Sequence, residues 1–124
     1  MRYLPALLCT TVILLASSDL FSASHTGGLL ASLLPAALVD GVNFTLRKLG
    51  HVSAYGLHTV LWLRALRGGR PWDARLAAEA VLVTLAVATV DEVHQSFVPS
   101  RGGSAFDVLL DTCGGALAVL LFRR

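Results

Sequence analysis

The sequence predicts an all-α fold: a four-helix transmembrane bundle with a short interfacial or re-entrant helix between the first and second spans. Three observations carry that expectation. Apolar residues make up 55% of the chain and charged residues 15%, against about 25% charged in soluble domains. Mean hydropathy is +0.69. Four apolar segments stand out, two of them meeting and two approaching the roughly 20 residues that cross a hydrocarbon core.

The first segment, "YLPALLCTTVILLAS" from Tyr3, reaches span length by running on to about Leu20. It also fits a cleaved signal peptide, with Arg2 as the charged n-region. The stretch 21–48 is expected on the outer side. Within it Gly28–Val39 is apolar, too short to span and interrupted by Pro35, so it predicts the interfacial or re-entrant helix. The second span is expected at 49–66, where its polar residues must face protein rather than lipid. The third covers 74–97. Pro71 and Asp73 suit its first turn, and Pro99 ends it. "SRGGS" is a tight turn. Ser104 and Asp107 then form a capping box opening the fourth span, 104–122. At 124 residues this is one domain covering 1–124.

Arginine and lysine set the expected orientation. One side collects Arg2, Arg64, Arg67, Arg70, Arg75, Arg123 and Arg124, the other Arg47, Lys48 and Arg101. The excess belongs in the cytoplasm, with both termini. Tyr3, Trp62, Trp72 and Phe122 fall at the inner interface, and Phe44, Phe97 and Phe106 near the outer one.

The polar residues are not scattered. At about 100° per residue, Lys48, His51, Tyr55, His58 and Trp62 share one face of the second helix. Asp91, Glu92 and Gln95 share a face of the third, with His94 beside them and Thr84 and Ala88 below. Ser104, Asp107, Asp111, Gly114, Gly115 and Ala118 share a face of the fourth. Counted from the inner arginines at about 1.5 Å per residue, Asp91, His51, Asp111 and Tyr55 all reach the outer half of the membrane. A charge at the centre of a spanning helix costs about 2.5–3.5 kcal/mol. Three charged stripes at one height must therefore face one another or a wet cavity.

These residues and their order resemble the VanZ-like family of small bacterial membrane proteins. The family pattern is K-x-x-H-x-x-x-Y, then D-E-x-x-Q-x-F-x-P-x-R, then S-x-x-D with a glycine-containing last helix. Here it falls on Lys48, His51 and Tyr55; on Asp91, Glu92, Gln95, Phe97, Pro99 and Arg101; and on Ser104, Asp107, Asp111 and Gly114. Ala54 stands where the family often has an acidic residue. The resemblance implies a multi-pass protein of the bacterial cell membrane. The name-giving member is associated with low-level teicoplanin resistance, which implies a role in glycopeptide tolerance or envelope homeostasis but no particular reaction.

The candidate cluster is Lys48, His51, Tyr55, Asp91, Glu92, Gln95, Arg101, Asp107 and Asp111. Arg101 serves as a salt-bridge partner of Glu92, Asp91 or Asp107, or recognises an anionic head group with its planar fork. Asp107 is a helix cap or an acid–base group. Asp111 lies a turn too deep for capping, so its carboxylate needs a donor or stays protonated. One of Asp91 and Glu92 is expected to pair with Lys48 or Arg101, leaving the other as a base. His51 and Tyr55 form a hydrogen-bonded pair or move protons. Gln95 is interhelical glue, and Glu79 is expected on a loop arginine. His94 and His58 are lesser candidates. Cys9 and Cys113 are expected to be buried, inert thiols.

No cofactor is expected, and no metal, since no HxxEH-like spacing occurs. No basic patch interleaved with aromatics supports nucleic-acid binding. The expected partners are the lipid bilayer and a lipid-linked or glycopeptide ligand. Three function classes stay open: a binding protein for an amphiphile, an acid–base enzyme acting on a lipid-linked substrate, and a small proton-linked transporter.

Overall fold

A computed structural model describes residues 1–17, 23–99 and 101–122. Among them every regular element is helical, in the order α1 (Leu4–Ala16), α2 (Ala23–Ala31), α3 (Ala36–Arg67), α4 (Ala74–Ser96) and α5 (Ala105–Phe122). The expected run of the first span to Leu20 and the terminal Arg123 and Arg124 lie outside the described residues.

Each helix boundary has a local cause. Pro5 lies in the first turn of α1, where it gives up a donor that would be unpaired anyway. Asp73 caps α4, its Oδ1 accepting from Leu76 N at 2.7 Å. It is the cap itself rather than a first-turn residue, and Pro71 precedes it. Gly68, with φ at +47°, ends α3 in the left-handed conformation that glycine adopts without a steric penalty.

The long α3 departs from expectation. Pro35 is its cap, so the Gly28–Val39 stretch is divided between the end of α2 and the start of α3. The expected short helix between the first two long segments does form, as α2, but over Ala23–Ala31 rather than Gly28–Val39. Residues 36–48 instead extend the helix expected at 49–66 at its N-terminal end, giving 32 residues, about 48 Å at 1.5 Å per residue. Asn43 is the reason this polar stretch stays helical and ordered. It is buried, donates to Ala23 O at 2.9 Å and accepts from Thr26 at 2.7 Å, clamping α2 onto α3.

α3 is central and touches the other four helices, while α4 and α5 complete the packing against it. The burial is inverted relative to a soluble protein. Buried side chains include His58, Thr59, Thr84, Asp91, Glu92, Gln95 and Asp111, whereas Leu8, Val12, Leu57, Leu82, Leu117 and Leu121 are exposed. Among the described residues, buried apolar side chains cluster in a layer of Leu63, Leu76, Ala80 and Val119 and a smaller one of Ile13, Tyr55 and Ala88. Glycines let the helices approach. A methyl on Gly114 would lie 2.9 Å from Val52 Cγ1, and one on Gly115 would lie 2.3 Å from Thr59 Oγ1.

Among the described residues α5 is the one helix long and apolar enough to cross a membrane by length and composition, and α1 is a shorter apolar helix. α3 and α4 carry interior polar residues that lower their average hydropathy. Cys113 is exposed and Cys9 half-buried, against the expectation of two buried thiols. An apolar run in this fold turns much of its surface outward.

Candidate functional site

Toward one end of the bundle, α4 and α5 bring carboxylates to one place beside donors of α3, and each carboxylate finds a different donor. Lys48 on α3 pairs with Asp107 on α5. One turn further along α3, His51 Nδ1 lies 3.3 Å from Asp111 Oδ2. A further turn on, Tyr55 OH donates to Asp91 Oδ2 on α4 at 2.9 Å, and Gln95 Nε2 donates to the same oxygen at 3.0 Å. The 4,3,4 spacing that placed these α3 residues on one face also stacks their rings. Centroids are 6.4 Å apart for His51 and Tyr55, 6.1 Å for Tyr55 and His58, and 6.3 Å for His58 and Trp62.

Glu92 takes a role the sequence assigned elsewhere. Its Oε2 accepts from Ser104 N at 2.7 Å, at the start of α5. The capping box would have given that contact to Asp107, which turns to Lys48 instead. The expected pairing of Asp91 or Glu92 with Lys48 is thereby corrected, because an amine reaching from α3 competes for Asp107 and leaves the α5 N–H to α4. Arg101 Nη2 reaches Ala16 O at 3.5 Å, tying the α4–α5 turn to the end of α1. Glu79 lies near Arg70 and Arg75, as expected.

Hydrogen bonding continues below this cluster. His58, wholly buried, lies between Thr10 Oγ1 and Thr84 Oγ1, each at 3.0 Å. Thr84 is 2.7 Å from Thr59 Oγ1, and Trp62 Nε1 donates to Thr10 at 3.2 Å. Ser17 and His94 meet at 3.2 Å. The lesser histidine candidates therefore serve to join α1 to the bundle.

Two adjoining cavities open on the cluster. One, about 290 Å³, lies among α1, α3 and α4, with Ile13, Ala16 and Ala54 as apolar wall and Arg47, His51, Tyr55, Asp91 and Arg101 as polar lining. The other, about 200 Å³, is lined by Phe44, Arg47, Lys48, His51, Gln95, Arg101 and Asp107. Arg47, His51 and Arg101 border both. Sequence reasoning left Arg47 in the charge tally, although its position four residues before His51 puts it on the same helix face. Thr10 and Ser17 were missed as well, since hydroxyls barely change the hydropathy of an apolar segment. Ala54 gives the larger cavity an apolar wall where the family often has an acid.

One oxygen of each of three buried carboxylates, Asp91 Oδ1, Glu92 Oε1 and Asp111 Oδ1, has no hydrogen-bond partner. Among the described residues no three histidine, cysteine or acidic side chains converge in an arrangement that could hold a metal ion.

A bundle with polar residues inside, apolar residues outside and a charged pocket at one end is the architecture of a small membrane-associated protein. A family model described as VanZ/LLP1 matches residues 3–124, and the chain belongs to that VanZ-like family. No curated protein and no solved structure gives a match.

Proposed function

We propose that the chain is a multi-pass protein of the bacterial cell membrane that binds an amphiphilic or lipid-linked ligand in the pocket between α1, α3, α4 and α5. The spans are α1, α3, α4 and α5. Both termini lie in the cytoplasm and the pocket opens toward the outer surface. The observation that carries this reading is the pair of adjoining cavities, which share Arg47, His51 and Arg101. The larger has apolar walls suited to the start of a tail, and Arg47 and Arg101, which border both, suit an anionic head group. The inverted burial supports a lipid-facing exterior, because helix association in lipid relies on small residues and interhelical hydrogen bonds. Family membership supports a contribution to glycopeptide tolerance or envelope homeostasis. The test is mass spectrometry of lipid retained by the purified protein. Enrichment over bulk lipid that falls on Arg47→Ala and Arg101→Ala supports the reading, and retention identical to bulk lipid in all variants contradicts it.

One observation favours a second reading, an acid–base enzyme on the same ligand. With His51 Nδ1 oriented by Asp111, the ring's other nitrogen remains for a proton, in a side chain that borders both cavities. That is the base-and-orienter half of an activated-nucleophile arrangement. Turnover of a bound lipid ester that is lost in His51→Gln, with retention unchanged, would select this reading.

A further inference from the structure

The amphiphile reading leaves open which head group the larger cavity accepts, and Asp91 answers that. Its side chain borders the cavity yet is only 2% exposed. Both groups that donate to its Oδ2, the Tyr55 phenol and the Gln95 amide, are neutral. Its Oδ1 has no hydrogen-bond partner. Two neighbouring α3 side chains are directed elsewhere, Lys48 to Asp107 and His51 Nδ1 to Asp111. Asp111 Oδ1 is likewise buried without a partner. A carboxylate held in this way needs a donor that also brings positive charge. A primary ammonium supplies three N–H donors and one charge, whereas a hydroxyl supplies one donor and none. Arg47 and Arg101 border the same cavity, which suits an adjacent phosphate.

Resting on the amphiphile-binding reading, we infer that the cavity between α1, α3 and α4 is a site for an aminophospholipid head group, a primary ammonium next to a phosphate, with Asp91 Oδ1 as the ammonium acceptor. The apolar wall of Ile13, Ala16 and Ala54 takes the first carbons of the acyl chains. Three methyl groups on the nitrogen remove every N–H and so remove the contact.

The test is lipid retention by the purified full-length protein in mild detergent, read by native mass spectrometry. Three phospholipids with the same acyl chains are compared, carrying ethanolamine, choline or glycerol heads. The ethanolamine lipid is expected to be retained about ten-fold over the other two, the discrimination of one charge-assisted hydrogen bond. Asp91→Asn is expected to abolish that preference. If Asp91→Asn does not fold, the comparison of the three lipids on the natural chain decides by itself. Equal retention of the glycerol and ethanolamine lipids overturns the requirement for charge. A preference that survives Asp91→Asn overturns Asp91 as the acceptor. Equal retention of all three that is lost when Ala54→Trp fills the cavity overturns the ammonium assignment and leaves amphiphile binding standing. Retention indifferent both to head group and to Ala54→Trp overturns both.

Discussion

His51 Nδ1 lies 3.3 Å from Asp111 Oδ2, on a carboxylate whose side chain is 1% exposed, while the histidine side chain is 29% exposed. One partner is sealed inside the bundle and the other borders the pocket. On the proposed reading, that asymmetry makes Asp111 a positioning group and His51 the group a ligand would meet. A double-mutant cycle with His51→Gln and Asp111→Asn should give a coupling of about 1.5 kcal/mol, the low end for a hydrogen bond to a charged group, because the imidazole is partly exposed. Reversible unfolding in detergent measures it. Additive effects would mean that the pair is not formed.

The exchange at the start of α5 is testable by substitution at Glu92. Glu92→Gln keeps an acceptor for Ser104 N–H and should leave stability nearly unchanged. Glu92→Ala removes it and should cost about 1 kcal/mol, the usual worth of a helix cap. Asp107→Ala should leave the start of α5 intact, as read by amide exchange at residues 104–108, since Asp107 serves Lys48 instead.

This exchange marks where the sequence stopped being legible. The faces were readable, because helical spacing alone puts His51, Tyr55 and His58 in line and Gln95 one turn above Asp91. The glycine approaches followed from the same logic. Which donor meets which carboxylate was not readable. The local Ser104–Asp107 pattern is a valid capping signal, and only the distance to Lys48 on another helix defeats it. The start of α3 was hidden for a related reason. "DGVNFTLRK" places Val42, Phe44 and Leu46 at a period of two rather than a helical one, and the contact that ties it to α2, through Asn43, is between segments.

Glycine substitutions should separate packing from propensity. Gly115→Ala drives a methyl into Thr59 Oγ1 and should cost about 1–3 kcal/mol, as overpacking does. Gly114→Ala presses on Val52, including its backbone oxygen, and should behave alike. Gly41→Ala meets nothing within 4 Å and should stabilise by about 0.5–1 kcal/mol through helix propensity. Thermal unfolding of the three variants in one detergent gives the order.

Thr10→Val should loosen α1 without altering its shape. It removes the hydroxyl that meets His58 and accepts from Trp62, a loss of about 1 kcal/mol for each buried hydrogen bond. Amide exchange should quicken over α1 and leave α5 unchanged. Uniform quickening across all helices would show that α1 is not a separable unit.

The central claim is that the chain keeps its polar cluster inside an apolar, lipid-facing shell, with Asp107 near a watery opening. Spin labels placed singly at positions 57, 82, 117 and 107 in reconstituted bilayers test it by comparing collision with oxygen, which concentrates in lipid, and with a water-soluble nickel complex. The account predicts oxygen-dominated collision at 57, 82 and 117, and nickel access at 107 from the outer face. Nickel-dominated collision at 57, 82 and 117, or access to 107 only from the cytoplasmic face, would contradict it.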